Sequence, residues 1–263
     1  MYHRAKSSAL YDCYWWVVDK RIIQQRRREV EFYRQLLTGY QPGDMIFDIG
    51  ANHGSKTEIF LKLGAKVVAL EPDELNQEIL RHRFLEYRFA KKPVVIVTKA
   101  VSDRESVETI WIDAPGSAKN SLSREWVETL RQDKERFGET LKFSQKRMVE
   151  TVTLEQLIEA YGVPFFIKID VEGYEVNVLR GLRRRIPFVS FELNLPEFLP
   201  EGLECLELLE NLASDGCFNF AGDCAKGLAM ERWTRKAEFA DVLRDCDQES
   251  IEVFWAAPTV ATA

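Results

Sequence analysis

Short apolar runs alternate with helical patterns along this chain, and the alternation predicts a parallel sheet covered by helices. In the first half, three runs are typical of buried strands: Met45–Ile49, Lys66–Leu70 and Val94–Thr98. A helical pattern fills the first interval over Thr57–Leu63. In the second interval Asp73 stands where a helix N-cap belongs. The helix that follows is expected to turn Leu75, Ile79 and Leu80 inward. Strand–helix–strand order of this kind is typical of βαβ units.

The same alternation resumes after residue 160. The predicted strands there are Phe165–Ile169, Phe188–Leu193, Cys217–Phe220 and Ile251–Ala256. Helical patterns lie between them at Tyr174–Arg180, which Gly181 ends, and at residues 201–215, where leucines recur at helical spacing. The two halves together predict a single α/β domain.

Two segments depart from the alternation. Residues 10 to about 37 predict a long N-terminal helix that carries Trp15 and Trp16. Residues 113–150 are polar and charged around one amphipathic helix that includes Trp126. We therefore divide the chain into an N-terminal helical cover, 1–40, and a main domain, 41–263, with an insertion at 113–150. Both segments are placed to cover one edge of the sheet, and at least one is expected to contact a substrate.

Composition and charge narrow the class of protein. The 263 residues are 46% apolar and 30% charged, which suits a folded globular chain. No apolar run approaches the roughly 20 residues that span a bilayer. The net charge is −6, with +4 on residues 1–40 and −10 on the rest, and an acidic body argues against a nucleic-acid groove. Five cysteines without a CxxC pair predict reduced thiols in a cytoplasmic protein.

The stretch MIFDIGANHGSKTEIF and the later VVALEPD carry candidate chemistry. Asp48 and Gly50 end a predicted strand, and Gly54 opens the next helix. Glycines at these turns let the backbone approach a ligand closely, and the free N–H groups at the helix start suit an anion such as a carboxylate. Glu71 ends the second strand, where it is placed to accept hydrogen bonds from a ribose diol.

The spacing of the glycines separates two cofactor classes. A dinucleotide-binding loop has the pattern GxGxxG, whereas this loop is GxxxG and has no glycine at Asn52. A diphosphate needs the close approach that a middle glycine allows. A positively charged amino-acid head group instead benefits from Asp48. The loop therefore favours S-adenosylmethionine over NAD.

Five sequence blocks resemble, in order and spacing, the FkbM family of S-adenosylmethionine-dependent methyltransferases: DIGANHG, LEPD, KAVSD, IKIDVEGYEVNVLRG and FEL. The resemblance runs from about Gln41 to Asn194. It implies a Rossmann-like sheet of seven mostly parallel strands, with the last strand antiparallel and helices on both faces. It also implies methyl transfer, usually to a hydroxyl of a small metabolite, polyketide or sugar.

The resemblance assigns roles to individual residues. Those expected to line the methionine part of the cofactor are Asp48, Gly50, Asn52 and Gly54. Glu71 is expected to hold the ribose. The residues expected beside the adenine are Ala100, Val101 and Ser102, with Asp103 near its edge. Asp170 closes the fourth strand of the sheet, where donor and acceptor meet in methyltransferases of this fold. The insertion has no counterpart in the family.

Acidic residues continue along the same edge of the predicted sheet. Asp170 is expected near the sulfonium and Glu172 is expected to orient or deprotonate the acceptor hydroxyl. The alternative is that one of these acids holds Lys168 or a backbone N–H. Glu192 and Asn194 end the next strand and offer oxygen ligands for Mg²⁺. The resemblance does not require a metal, and we predict none.

Two residues of the glycine loop are weaker candidates. The neutral imidazole of His53 suits a catalytic base near neutral pH, although a single loop histidine is more often incidental. Lys56 suits the donor carboxylate at the helix start, with a solvated lysine as the alternative.

The sequence therefore predicts a cytoplasmic S-adenosylmethionine-dependent O-methyltransferase for a small-molecule or glycan hydroxyl, without nucleic acid or stable membrane insertion. Three alternatives stay open: a nitrogen acceptor, a non-catalytic nucleotide-binding module, and an NAD-dependent oxidoreductase on the same fold. Oxygen is favoured over nitrogen because DVEG follows the fourth strand, where amino methyltransferases carry a Pro-Pro-aromatic loop. The oligomeric state is also open, a homodimer being one option.

Overall fold

The computed structural model describes residues 20–89, 94–132 and 140–257, and these contain ten strands, nine α-helices and a short 3-10 helix at Cys224–Lys226. The strands are β1 (Met45–Ile49), β2 (Lys66–Leu70), β3 (Val94–Val97), β4 (Ala100–Val101), β5 (Val107–Ile112), β6 (Gln145–Val152), β7 (Phe166–Ile169), β8 (Phe188–Asn194), β9 (Cys217–Ala221) and β10 (Ser250–Ala256). The helices are α1 (Lys20–Leu36), α2 (Ser55–Lys62), α3 (Glu74–Arg83), α4 (Leu85–Phe89), α5 (Arg124–Gln132), α6 (Leu154–Tyr161), α7 (Glu175–Arg180), α8 (Leu199–Leu212) and α9 (Lys236–Arg244).

Seven strands form the main sheet, in the order β3-β2-β1-β7-β8-β10-β9. Strands β1, β2, β3, β7 and β8 pair in parallel, and β10 pairs antiparallel with both of its neighbours. The predicted fold is confirmed, including the antiparallel direction of the last strand. The strand order reverses at β1, which lies between β2 and β7. In open α/β sheets, ligands bind beyond the carboxyl ends of the strands at such a reversal.

Both faces of the sheet are covered by helices, because side chains alternate between the faces along each strand. On β1, Phe47 and Ile49 belong to the core formed with α5 to α9. Ile46 faces the other way, into the core formed with α1, α2 and α3. Fully buried strands of this kind read as near-continuous apolar runs, which is why the bounds of β1 and β2 match the predicted ones.

The inward face of α3 differs from the prediction. Asp73 caps this helix, and its carboxylate accepts hydrogen bonds from the backbone N–H groups of Leu75 and Asn76. The expectation that Leu75 points inward is wrong, since Leu75 is exposed and Asn76 and Gln77 are buried instead. These two polar side chains are turned toward Glu71. The Nε2 of Gln77 donates a hydrogen bond to the backbone carbonyl oxygen of Glu71 over 3.0 Å.

A second, three-stranded sheet in the order β4-β6-β5 was not predicted. Strands β5 and β6 pair antiparallel on the two sides of the predicted insertion, so that its last residues belong to a strand. Most of β6 is partly or fully exposed, and its sequence therefore lacks the apolar run that marked the buried strands. Helix α6, also missed, begins with a capping box at Thr153 and Gln156.

The N-terminal cover is described from Lys20 onward, as helix α1. The predicted contacts of Trp15 and Trp16 lie outside the described residues. Within the part of the chain that the structure describes, no helix has the length and apolar character needed to cross a membrane.

Candidate active site

A cleft opens at the carboxyl ends of β1, β2 and β7. Six residues predicted for the cofactor line its wall: Gly50, Asn52, Glu71, Ala100, Val101 and Asp170. Glu172 lines the same wall. The structure therefore brings most of the predicted site residues together at the reversal of strand order.

Gly50 allows β1 and β7 to approach each other at this edge. Its φ is +80°, and a Cβ added there would lie 1.8 Å from the carbonyl oxygen of Asp170. The backbone N–H of Asp170 also donates to the carbonyl oxygen of Ile49 over 3.0 Å. Only glycine satisfies both the positive φ and the contact, so Gly50 determines how close Asp170 lies to the cleft.

Glu71 has an almost fully buried carboxylate that the backbone holds in place. It accepts hydrogen bonds from the N–H groups of Asn52, at 2.7 Å, and Asp73, at 2.8 Å. Burial raises the pKa of Glu71 to about 7, against the lowering effect of these two bonds. The carboxylate also hydrogen-bonds the Asn76 side chain and keeps lone pairs that suit a hydroxyl donor, as a ribose diol would offer.

Three predicted cofactor residues lie behind the wall rather than on it. Asp48 is fully buried, and its Oδ2 accepts a hydrogen bond from the hydroxyl of Thr57 at 2.5 Å. Burial raises the pKa of Asp48. Gly54 is the N-cap of α2, with φ +79°. Ser102 is buried too, and its hydroxyl donates to Glu108 over 3.0 Å. These residues shape the loops that form the cleft.

Neither His53 nor Lys56 is among the described residues that line the cofactor cleft. The carbonyl oxygen of His53 accepts a hydrogen bond from Arg83 Nη1 at 2.7 Å, which fixes the loop between β1 and α2. Lys56 Nζ lies 2.9 Å from Glu29 Oε2 of α1 and 3.9 Å from Glu252 Oε2. The lysine thus joins the N-terminal helix to the main sheet.

The first part of the insertion covers the cofactor cleft. Four of its residues line the wall: Ser117, Ala118, Asn120 and Leu122. The Nδ2 of Asn120 donates to Asp73 Oδ2 over 3.2 Å and to the carbonyl oxygen of Ala114 over 3.0 Å. The segment 113–123, which we name the cover loop, is thereby attached to the cap of α3.

Glu172 is held in an unusual backbone conformation by the insertion. Its φ is +55°, which is uncommon for a residue other than glycine. Its backbone carbonyl accepts a hydrogen bond from the hydroxyl of Ser121 at 2.6 Å, and its Oε2 accepts one from the indole N–H of Trp126 at 3.2 Å. Strained positions of this kind persist where the surroundings over-determine them, and they concentrate at functional sites.

Asp170, Glu172 and Glu192 form a carboxylate cluster whose oxygen atoms lie within 4.8 Å of one another. Lys168 Nζ lies 2.5 Å from Asp170 Oδ2. Burial acts to raise the pKa of Asp170, but the Lys168 charge and a hydrogen bond with Glu192 hold it below its ordinary value. Burial and the charge of Asp170 raise the pKa of Glu172 to about 8 and that of Glu192 well above its ordinary range. Asp170 is therefore the ionised member of the cluster at neutral pH.

A second cavity, of about 440 Å³, lies on the other side of Asp170. Helix α1 and the start of α2 form part of its wall, with the ends of β8 and β10 opposite. Its polar lining includes Gln25, Glu29, Lys56, Lys168, Glu192 and Glu252. Of the described residues, Asp170 alone lines both this cavity and the cofactor cleft.

Asn76 and Glu29 are wall residues that the sequence interpretation missed. Asn76 lines the cofactor cleft, where its side chain hydrogen-bonds Glu71 and its Oδ1 is buried without a hydrogen-bond partner in the described chain. An orphaned acceptor on this wall fits a ligand that carries donor groups, such as the amino group of adenine. The signal for Asn76 was its position three residues after the cap Asp73, on the side of α3 next to Glu71. No local pattern singled out Glu29, although the N-terminal helix was predicted to cover an edge of the sheet.

Comparison with known proteins identifies the class. A sequence model described as the Methyltransferase FkbM domain matches residues 48–215. The hexuronic acid methyltransferase AglP of Haloferax volcanii is 25% identical over 171 residues, which are 64% of this chain and 62% of that protein. Ribosomal RNA small subunit methyltransferase A of Thermotoga petrophila is 38% identical over 69 residues, 26% of this chain and 24% of that protein. The chain thus spans less than two thirds of the length of either relative.

Two solved structures show a low similarity to this chain. A precorrin-6y C5,15-methyltransferase from Geobacter metallireducens has a TM-score of 0.44 and 11% identity, with 89% of this chain and 86% of that chain covered. A SAM-dependent methyltransferase from Agrobacterium tumefaciens has a TM-score of 0.43 and 9% identity, with 89% and 62% covered. Likenesses of this size add nothing to the strand order already described.

The strand order and the cleft at the reversal of the sheet define a methyltransferase-type α/β domain. Because the family model matches well over half of its residues, the chain belongs to the FkbM methyltransferase family. The resemblance found in the sequence is confirmed, and with it S-adenosylmethionine as the cofactor of this class.

Proposed function

We propose that the chain is an S-adenosylmethionine-dependent O-methyltransferase acting on a hydroxyl of a small molecule or glycan. The position of Asp170 on both the cofactor cleft and the second cavity supports this proposal. A methyl donor in the cleft and an acceptor in the cavity would meet at one carboxylate. Similarity to a hexuronic acid methyltransferase favours a sugar-like acceptor.

The cleft offers the groups that this cofactor needs. Gly50, Asn52 and Glu71 would hold the donor, with Asn76 beside them and the cover loop above. When bound, S-adenosylmethionine supplies a methyl group on a positively charged sulfur and leaves as S-adenosylhomocysteine. The net reaction gives the methylated acceptor and one proton, so no oxidant or reductant is involved.

Asp170 has two tasks in this scheme. An acceptor hydroxyl beside it donates a hydrogen bond to the carboxylate, which aligns an oxygen lone pair with the methyl carbon. When the methyl group passes to that oxygen, with the electron pair of the S–C bond left on the S-adenosylhomocysteine sulfur, the Asp170 carboxylate would accept the hydroxyl proton and release it to water. Lys168 keeps Asp170 ionised for this purpose.

In this proposal Glu172 does not orient or deprotonate the acceptor hydroxyl, as the sequence led us to expect. It lines the cofactor cleft and not the second cavity, and its raised pKa keeps it largely protonated at neutral pH. We assign it to the donor side, as a hydrogen-bonding group beside the reacting centre. His53 has no part in the scheme, and the cytoplasmic location and the lack of a nucleic-acid partner stay predictions.

The test is methyl transfer from S-adenosylmethionine to a panel of hydroxyl and amine acceptors, followed as release of S-adenosylhomocysteine and product mass. Asp170→Asn should lower kcat about 100-fold or more, as removal of a positioned base does. It should leave cofactor binding measurable by calorimetry. The matched variant Asp241→Asn, on α9, should change neither. Wild-type turnover by Asp170→Asn, or methylation of amines alone, would exclude the proposed function.

A further inference from the structure

The geometry points to the second cavity as the acceptor site, and to a polyhydroxylated acceptor that carries an amine rather than a carboxylate. This inference rests on the proposed function and deepens it. It concerns which acceptor the cavity selects, a property that the cofactor cleft does not determine.

The placement of the cavity makes it the acceptor site. It meets the cofactor cleft at Asp170, so a molecule held there has access to the reacting centre. Its volume of about 440 Å³ accommodates a sugar-sized molecule. The amide of Gln25 and the carboxylate of Glu29 contribute hydrogen-bonding groups from α1 on the side facing the sheet.

Side-chain contacts hold helix α1 against the sheet, so the residues of α1 on the cavity wall have defined positions. The hydroxyl of Tyr33, a fully buried residue, donates to Glu252 Oε1 over 3.0 Å. Glu252 also accepts from the hydroxyl of Ser190 at 2.8 Å. One turn before Tyr33, Glu29 pairs with Lys56. The Glu29 side chain, 15% exposed, therefore has a defined position on the cavity wall.

The charge of the wall is predominantly negative. Five carboxylates line it: Glu29, Asp170, Glu192, Asp223 and Glu252. Two ammonium groups, of Lys56 and Lys168, face them, and each already pairs with a carboxylate, at 2.9 and 2.5 Å. Protonation of Glu192, whose pKa is raised, still leaves the described lining with an excess of negative charge.

This excess predicts the order in which acceptors are used. In a partly buried cavity, charges within several ångströms of each other interact far more strongly than in bulk water. An ammonium group on the acceptor gains from the carboxylates, whereas a carboxylate on the acceptor is repelled by them. Carboxylate oxygens also accept hydrogen bonds from sugar hydroxyls. The hydrogen bonds favour any polyhydroxylated ring, whereas the charge effect favours an amino sugar, then a neutral sugar, and opposes a uronic acid. The acceptor of this chain is therefore expected to differ in charge from that of the hexuronic acid methyltransferase to which it is similar.

The experiment compares three acceptors with one ring: the methyl glycosides of glucosamine, glucose and glucuronic acid. O-methyl transfer is measured as kcat/KM with saturating S-adenosylmethionine, and the methylated atom is located by NMR. We expect the amine to exceed the carboxylate at least tenfold, with the neutral sugar between them. Glu29→Gln keeps a hydrogen-bonding group for Lys56 but removes one charge, so it should narrow the ratio of amine to carboxylate about threefold or more. The control Glu31→Gln, on the same helix but exposed and paired with Arg34, should leave the ratio unchanged.

A second measurement needs no variant. Raising the salt concentration should also narrow the ratio in the wild-type protein, because ions screen partly exposed charges. A preference for the carboxylate, or a ratio that neither Glu29→Gln nor salt changes, would overturn the inference. So would a protein that binds S-adenosylmethionine but methylates none of the three, although the proposed function would then still stand. Absence of S-adenosylmethionine binding would instead refute the proposed function.

Discussion

At the residue scale, Gly50 and Lys168 determine the position and the charge of Asp170 at the centre of the site. Gly50 brings the end of β1 against the carbonyl of Asp170, and Lys168 keeps the Asp170 carboxylate ionised between the cleft and the second cavity. The site therefore depends on a backbone contact as much as on side-chain chemistry. Without that contact, Asp170 would lie farther from the cofactor wall.

Gly50→Ala tests this contact. The added methyl group would overlap the Asp170 carbonyl and would sit on a residue with positive φ. We expect the free energy of unfolding to fall by about 3 kcal/mol or more. The matched control is Gly43→Ala, since Gly43 also has positive φ, +102°, but a Cβ there has nothing within 4 Å. It should cost about 1–2 kcal/mol. Urea denaturation measures both, and equal losses would contradict the role assigned to the contact.

Residue identity predicted the wall of the cleft only in part. Gly50 and Glu71 directly follow the buried strands β1 and β2. For these two residues, the motif and the position at the strand end both predicted a place on the cleft wall. Asp48 also belongs to the motif, but alternation along β1 turns its side chain under α2, where Thr57 donates to it. Asn76 was assigned to no site because the helix was expected to turn its leucines inward. A motif names the residues near a cofactor, whereas their contact with it depends on side-chain direction.

At the scale of elements, the insertion and the N-terminal helix, which lie outside the regular alternation, each enclose a different part of the site. The cover loop, 113–123, lies over the cofactor cleft, and α1 forms a wall of the second cavity. The sequence predicted that both segments cover one edge of the sheet, but it did not predict which cavity each segment would line. The answer comes from long-range contacts, Asn120 with Asp73 and Glu29 with Lys56, which no local pattern encodes.

The cover loop leads to a prediction about cofactor release. Asn120→Ala removes the hydrogen bond that attaches this loop to the cap of α3 at Asp73, and two bonds within the loop, with Asp113 and Ala114. Each such bond contributes about 1 kcal/mol. We expect S-adenosylmethionine to dissociate about tenfold faster, with little change in thermal stability. Stopped-flow fluorescence measures the rate, and Asn211→Ala on the exposed side of α8 is the control. An unchanged dissociation rate would show that the loop does not retain the cofactor.

Strands and helices were predictable to different degrees for a physical reason. Strands β1 and β2 are buried on both faces, so that each appears as an unbroken apolar run. Strands β5 and β6 form an exposed ribbon in which Val107 and Met148 are solvent-exposed, and the sequence carries no comparable run there. Helix α6 shows that a local signal was present but unused, since the pair Thr153 and Gln156 is a capping box.

At the scale of the whole molecule, the carboxyl edge of the sheet concentrates buried acids. Burial raises the pKa of Glu71 and of Glu175 to about 7 and that of Glu172 to about 8, and it raises the pKa of Glu192 well above its ordinary range. The cofactor cleft and the second cavity share this edge. An edge of this kind suits a cationic donor and a hydroxyl acceptor, but it makes the fold sensitive to pH.

The sign of that sensitivity follows from proton binding. The unfolded chain releases these protons near the ordinary glutamate pKa of 4.5, whereas the folded chain keeps them up to pH 7–8. The folded state therefore binds more protons in this window, and its stability falls as pH rises from about 5 to 8. We expect Tm at constant ionic strength to be lower at pH 8 than at pH 6. Glu175→Gln should reduce this slope, and Glu159→Gln, an exposed counterpart, should not. A Tm that rises with pH would contradict the account of the edge.

The most direct test of the central claim is calorimetric titration of the protein with S-adenosylmethionine, with NAD titrated in parallel. The account predicts one-to-one binding of S-adenosylmethionine in the micromolar range and no comparable heat with NAD, because the loop lacks the middle glycine that a diphosphate requires. Glu71→Gln should weaken S-adenosylmethionine binding markedly, since the amide replaces one of the two acceptor oxygens by a donor group. A protein that unfolds cooperatively on heating yet shows no heat with S-adenosylmethionine, or that binds NAD more tightly, would contradict the claim.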